Sequence, residues 1–166
     1  DASLTAVQEA LLETAFEVAS QIPVNPHIKD RSKMQAEVVE AALKLDQPQR
    51  ALRYIERIED WRRGAGYADL AFYYAKKGYL KNIPGLLGKA ERIADTTEDW
   101  RRDQIRVKIA KTYAYLGQKE KAKLYEEDVV DSEKGKVAGV ENILSGSDTF
   151  ESQIGGLDEL IASENF

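Results

Sequence analysis

Few side chains in this sequence belong to the types that perform catalysis or bind metals. It contains no cysteine and a single histidine, His27. Without cysteine there is no thiol catalysis, no disulfide and no cysteine-ligated metal. His27 lies in a predicted loop bounded by prolines, where no neighbour would orient it as a general base or complete a metal site. The sequence therefore predicts no catalytic residue, no cofactor and no metal, and so a protein that is not an enzyme.

Carboxylates are plentiful, so a pair of them acting as acid and base is formally possible. Glu37 and Glu40 are close enough along the chain to be considered for such a pair. Both lie on a predicted helix face that is rich in other charges, which is typical of a solvated surface. No glycine-rich phosphate loop and no Ser/His/Asp arrangement can be assembled either. These residues are therefore interpreted as surface charges.

The charge of the chain is unevenly distributed. The formal net charge is −5, yet residues 59–127 carry 15 basic and 11 acidic side chains and residues 128–166 carry 2 and 9. The acidic total argues against a dedicated nucleic-acid binder, although several tyrosines could in principle stack on bases. The acidic end has three interpretations: it caps the fold, it is partly mobile, or it folds toward the basic middle and competes with a ligand there.

Apolar residues recur every three or four positions, which predicts an all-α protein. Residues 4–22 form the first helix, with Ser3 or Thr5 as its cap, and 23–30 form a loop. The residues predicted to face the core in this helix are Leu4, Val7, Leu11, Ala15, Val18, Ala19 and Ile22. The next helix is predicted to bury Met34, Val38, Val39, Ala42 and Leu45. No apolar run is long enough to span a membrane.

Helix pairs joined by short turns follow along the chain. Asp46, Gly78 and Gly117 mark the turns, and Pro48 suits the first position of the helix after the first turn. Small residues precede and follow each turn, as expected where two antiparallel helices pack closely. The buried slots around the three turns are Val39, Ala42 and Ala51, then Ala71, Tyr74 and Ile83, then Ala110, Tyr113 and Ala122.

One segment of the chain occurs twice. Residues 59–63 and 98–102 both read Glu-Asp-Trp-Arg-Arg, and matching residues continue as far as Gly78 and Gly117. The duplicated tryptophans, Trp61 and Trp100, are predicted to seal the joint between successive helix pairs, with the arginines paired to adjacent acids. An alternative is that the arginines form an anion-binding pair.

The pattern Ile109-Ala110-Tyr113-Leu116-Gly117-Ala122 resembles the tetratricopeptide repeat family. The uneven spacing of the turns and the missing closing proline depart from that family. The resemblance implies a right-handed α-solenoid of about four antiparallel helix pairs. Its parts would be an N-terminal helix in 1–25, helix pairs in 26–130 and acidic capping helices in 131–166.

In that family the first helix of each pair lines a concave groove, which implies a binding surface here. The implied positions are Lys33, Glu37, Glu40 and Lys44, then Asp69, Phe72 and Lys76, then Gln104, Lys108, Lys111 and Tyr115. The predicted peptide-binding set is Phe72, Lys76, Gln104, Lys108, Lys111 and Tyr115. The lysines would pair with acidic groups of the ligand, and Phe72 would be its apolar anchor.

The sequence thus predicts a non-catalytic scaffold that binds a peptide or helical segment of another protein, and not nucleic acid. The alternative is a regulatory or accessory helical domain of a larger protein whose function lies elsewhere. The chain begins without methionine. This start fits an exported protein whose leader has been removed and equally fits an intracellular fragment. Sequence features decide neither the compartment nor the oligomeric state.

Overall fold

This computed structural model describes residues 1–127 and 129, and only the backbone of Asp99. In those residues there are seven α-helices and no strand, which confirms the all-α class. The helices are α1 (Ala6–Gln21), α2 (Val24–Lys44), α3 (Pro48–Glu56), α4 (Arg62–Lys76), α5 (Ile83–Asp95), α6 (Asp99–Tyr115) and α7 (Lys119–Glu127). A short 3₁₀ turn at Leu80–Asn82 precedes α5. The predicted capping helices in 131–166 lie outside the described residues.

Local signals in the sequence account for most helix ends. Thr5 caps α1 in a capping box: its Oγ1 accepts from the Gln8 N–H at 3.2 Å, and its own N–H donates to Gln8 Oε1 at 3.0 Å. Pro48 occupies the first turn of α3. The predicted loop 23–30 is shorter than expected, because α2 already begins at Val24, with non-helical dihedrals only at Asn25 and His27.

The three helices α2, α4 and α6 end in the same backbone motif. Asp46, Gly78 and Gly117 adopt positive φ angles of 55°, 77° and 73°. After each of them the next N–H donates to a carbonyl five residues back at 2.9 Å, which is the Schellman arrangement. Asp46 tolerates this conformation without being glycine, and Tyr73 Oη and Lys77 Nζ lie 3.0 and 2.8 Å from its carboxylate. These contacts lower the pKa of Asp46.

The helices pack in chain order around α4. Helix α4 contacts α2 and α3 on one side and α5 and α6 on the other, while α7 contacts α6. The predicted slot residues are buried, except that Tyr113 is only half-buried. Other fully buried side chains in this core include Phe16, Tyr54, Ile55, Leu70, Ile105 and Ile109.

Two glycines allow α4 to sit close to its neighbours. A Cβ added at Gly64 would lie 2.9 Å from both Ile105 Cδ1 and Ile93 Cγ2, and one at Gly66 would lie 2.9 Å from Ile55 Cγ1. Helix α4 therefore approaches α3, α5 and α6 more closely than any larger residue would permit. By contrast, a Cβ at Gly88 in α5 would meet nothing within 4 Å.

We expect opposite effects from alanine at these two kinds of glycine. Gly88→Ala should raise the free energy of unfolding by about 0.5–1 kcal/mol, because alanine favours the helix. Gly64→Ala gains the same helix propensity but overpacks the core. Its free energy of unfolding should therefore be about 1–3 kcal/mol lower than that of Gly88→Ala. Urea denaturation followed by circular dichroism measures both. Equal stability of the two variants would show that α4 is not closely packed at Gly64.

The predicted core face of α1 is correct at Ala19 and wrong at Val7, Leu11 and Val18. The buried residues are Leu12, Phe16 and Ala19, whereas Val7, Leu11 and Val18 are 77%, 67% and 57% exposed. The reason lies in α3, where Tyr54 stacks on Phe16 with ring centroids 4.1 Å apart. On the same side, Arg50 pairs with Glu9 and Glu13, and Arg57 pairs with Glu17. Met34 of α2, also predicted to be buried, is 47% exposed.

Candidate functional site

A groove of about 590 Å³ runs across α2, α4 and α6, the first helices of the three pairs. The spacing of three, four and seven residues keeps each helix's contribution on one face. Ten of the eleven positions implied for the concave surface line it: Lys33, Glu37, Glu40, Lys44, Asp69, Phe72, Lys76, Gln104, Lys108 and Lys111. The eleventh, Tyr115, does not line the groove and is 45% exposed.

Phe72 is surrounded by cationic and aromatic groups. Lys111 Nζ lies 4.4 Å and Lys76 Nζ 5.1 Å from the centre of its ring. The ring of Tyr115 meets it edge-on, with centroids 5.4 Å apart. Such cation–π and edge-to-face contacts hold the half-buried Phe72 ring in place. Four of the six predicted binding residues, Phe72, Lys76, Lys111 and Tyr115, therefore form one cluster.

Lys108 is predicted to pair with an acidic group of a ligand, but in the structure it already pairs with a carboxylate of this chain. Its Nζ lies 2.7 and 2.9 Å from the two carboxylate oxygens of Asp69. Lys44 is likewise paired with Glu40 at 2.7 Å. Within the part of the chain that the structure describes, neither Lys76 nor Lys111 has a carboxylate within the 4.0 Å of an ion pair. Among the described residues, the groove lysines without an ion pair are therefore Lys76 and Lys111 beside Phe72, and Lys33 on α2.

The surroundings of Lys111 disfavour its charge. Partial burial lowers the pKa of Lys111, and the positive charges of Lys108 and Lys76 lower it further, while Asp69 opposes the shift. An anionic group placed beside Lys111 would compensate for the lost hydration and the like charges. The cluster is therefore suited to a ligand that brings a carboxylate or similar group next to an apolar one.

The rest of the lining is mixed in charge and partly apolar. Lys33 and Glu37 of α2 line the groove, as do the buried Val39 and Ala65. Gln104 of α6 also lines the groove. A groove of this composition can hold an extended chain, with apolar groups inward and polar groups along the rims.

Nine residues outside the predicted set also line the groove, and three of them carry large aromatic or charged side chains. These three are Trp61, Arg62 and Tyr73. The positions of Arg62 and Tyr73 follow from Asp69 by helical spacing, since 62, 69, 73 and 76 share one face. Trp61 had been assigned to the joint between helix pairs, and its ring does meet the Trp100 ring edge-on, with centroids 5.4 Å apart. Trp61 therefore lines the groove and also contacts Trp100.

The duplicated arginines have only some of their predicted partners. Arg62 pairs with Asp60 at 2.5 Å and lies over the Trp61 ring. Arg102 pairs with Asp103 at 3.0 Å, and Glu59 pairs with Arg31 instead. These contacts occupy Arg62 and Arg102 within the fold, which is what a structural role requires of them.

No other chemical site emerges among residues 1–127. His27 lies 3.8 Å from Asp30, and both side chains are more than half exposed. In the described residues, no group of histidine and carboxylate side chains is arranged to hold a metal ion. None of the helices there is both long enough and apolar enough to cross a membrane.

Comparison with known proteins yields no relative. No family model, curated protein or solved structure matches this chain.

Proposed function

We propose that this protein is a non-catalytic scaffold, resembling tetratricopeptide repeat proteins, that binds a peptide or helical segment of another protein in the α2/α4/α6 groove. The observation that carries the proposal is the cluster around Phe72, where an aromatic anchor lies between Lys76 and Lys111. A ligand with an acidic side chain next to a large apolar one satisfies both features. Aromatic anchors of this kind supply much of the affinity in protein interfaces.

Two features support an array of helix pairs, for which the resemblance implies a right-handed superhelix. The helices α2, α4 and α6 end in the same Schellman turn, and each contacts the next. Helix α3 also packs on α4 and α5 packs on α6, so each pair is covered by the first helix of the following pair. Stacking of this kind buries a continuous core and leaves one face of the first helices available.

A nucleic-acid ligand fits the groove less well. Glu37, Glu40 and Asp69 line it together with the lysines. Phosphates bind along a continuous track of cations, and in this groove the acidic side chains interrupt such a track. Here two of the lysines are already neutralised by Asp69 and Glu40. A protein ligand with one or two acidic groups matches the remaining charge better.

Selection of random displayed peptides on the immobilised protein tests the proposal. We expect the wild-type chain to enrich peptides that combine acidic and large apolar residues, and a Phe72→Ala/Lys111→Glu variant to fail to retain them. A Lys81→Glu variant, altered at an exposed site outside the groove, is the matched control. Enrichment of the same peptides on all three proteins would show that the groove is not the binding surface. No enrichment on the wild-type chain would count against peptide binding altogether.

The affinity for such a peptide should depend on pH through Lys111. Because the pKa of Lys111 is lowered, it loses its proton at a lower pH than an ordinary lysine. Binding to the acidic peptide should therefore be strongest while Lys111 is protonated and should weaken as the pH rises through its pKa. A Lys111→Arg variant, which stays charged, should keep its affinity to higher pH. Fluorescence anisotropy across the alkaline range measures both, and parallel curves would rule out Lys111 as the titrating group.

A further inference from the structure

The helices α4 and α6 lie side by side in a fixed register. Lys108 pairs with Asp69, and Lys111 Nζ lies 4.4 Å from the centre of the Phe72 ring. Both contacts join positions that are 39 residues apart in the sequence. The same interval separates the turn residues that follow these two helices. Positions at equal distances before the two turns therefore lie beside each other.

The helices α2 and α4 are aligned in nearly the same way. Lys77 pairs with Asp46 at 2.8 Å, and these two residues are 31 positions apart. The turn residues Asp46 and Gly78 are 32 positions apart. Helix α4 contacts α2 on one side and α6 on the other. Equivalent positions of the three helices therefore form rows that run across the groove.

Two of these rows carry opposite charges at their two ends. Nine and six residues before the turns, the rows read Glu37, Asp69, Lys108 and Glu40, Phe72, Lys111. All six of these residues line the groove. Each row begins with a carboxylate on α2 and ends with a lysine on α6. A ligand that crosses the three helices therefore meets an acidic side, then the Phe72 ring, then a basic side.

Glu37 supplies a carboxylate on the acidic side. The other two carboxylates of the rows already have lysine partners. Within the described residues, Glu37 has no cation within the 4.0 Å of an ion pair, and Lys33, one turn earlier on α2, does not pair with it. The Glu37 side chain is exposed. It can therefore accept a basic group of a ligand, just as Lys111 can accept an acidic one.

The distance between the helices sets the spacing of the ligand's side chains. Packed helices lie about 8–10 Å apart. A chain in the polyproline II conformation presents every third side chain on the same face, at intervals of about 9 Å. A β-strand repeats at about 7 Å, which does not match the helices. Aromatic grooves are a known type of site for polyproline II segments, and Trp61, Phe72 and Tyr73 line this groove.

We infer that the ligand is an extended segment that carries a basic, a large apolar and an acidic side chain at intervals of three residues. The basic group lies at Glu37, the apolar group on Phe72 and the acidic group beside Lys111. This inference rests on the proposed function and adds the order and spacing of the ligand's side chains to it. Opposite charges at the two ends fix the register of such a ligand and disfavour segments with the same charge at both ends.

Fluorescence anisotropy with labelled peptides and the full 166-residue chain tests this inference. Two proline-rich peptides carry lysine, leucine and aspartate at intervals of three residues, one in each chain direction. A matched version of each has glutamate in place of lysine. We expect the better lysine peptide to bind the wild-type chain about tenfold more tightly than its glutamate version. Glu37→Lys should reverse this preference, because the new lysine repels the peptide's lysine and attracts its glutamate.

Asp95→Lys is the matched control, since Asp95 is exposed outside the groove and the substitution changes the net charge equally. It should rank the peptides as the wild type does. Equal binding of peptides with intervals of two or seven residues overturns the inferred spacing.

Phe72→Ala separates this inference from the proposed function. If binding requires Phe72 but Glu37→Lys ranks the peptides like the wild type, the inference is overturned and the proposed function stands. Peptides that bind equally well to Phe72→Ala count against both. If none of these peptides binds the wild-type chain, the inference is overturned, while the display of random peptides still tests the proposed function.

Discussion

A Phe16→Ala variant is expected to lose about 3–5 kcal/mol of its free energy of unfolding. Phe16 is 0% exposed, and its ring stacks on Tyr54 with an interplanar angle of 9°. The guanidinium of Arg57 lies 4.8 Å from the same ring. Truncation would leave a cavity between α1 and α3 and would remove the main aromatic contact that joins them. For a domain whose total stability is about 5–15 kcal/mol, this is a large fraction.

Guanidinium denaturation followed by circular dichroism measures this loss. The control is Val18→Ala in the same helix, where the side chain is 57% exposed. That variant should change stability by about 0.5 kcal/mol or less. The two variants together also test which face of α1 packs against the core. Equal effects, or a larger effect at Val18, would contradict the observed orientation of α1.

A Phe72→Ala variant is expected to bind a peptide selected on the wild-type groove about 30-fold more weakly or worse, a loss of about 2 kcal/mol. Phe72 carries the contacts with Lys76, Lys111 and Tyr115, so its removal deletes the apolar anchor and releases both lysines. Lys111→Gln, which removes only a charge, should weaken binding about tenfold and should reduce its dependence on salt. Isothermal titration calorimetry at two salt concentrations measures both effects.

Tyr79→Ala is the control for loss of an exposed aromatic residue, since Tyr79 is 63% exposed and does not line the groove. It should leave the affinity within about twofold of the wild type. Phe72 is only half-buried, so Phe72→Ala should retain the helical content of the wild-type protein. A Phe72→Ala protein that is folded and binds with wild-type affinity would remove the basis of the proposed function.

Local features of the fold could be predicted from the sequence because they depend on neighbouring residues. The capping box at Thr5 and the first turn of α3 at Pro48 follow from the identity of those residues and the few that follow them. The turns at Gly78 and Gly117 depend on the freedom of glycine to adopt positive φ. Asp46 was predicted as a turn by position, and its contacts with Tyr73 and Lys77 became visible only in the structure.

The sequence predicted which residues line the groove more completely than which of their charges form ion pairs. Spacing along each helix places Phe72, Lys108 and Lys111 on comparable faces, which is a property of one helix at a time. Whether two such faces approach closely enough for an ion pair depends on the distance between helices. The pairing of Lys108 with Asp69 joins α6 to α4 across 39 positions, and no local pattern reveals it.

By itself, the sequence determined that this chain is helical, where its turns lie and which residues of α2, α4 and α6 share a face. These properties follow from backbone preferences and from the helical period. Only the tertiary structure decided which side of α1 is buried, because both sides are apolar and one of them contacts Tyr54 and Arg50 of α3 and Arg57 at its C-terminal end. It also decided which lysines remain open to a ligand, because ion pairs between helices require side chains that are distant in sequence to meet in space.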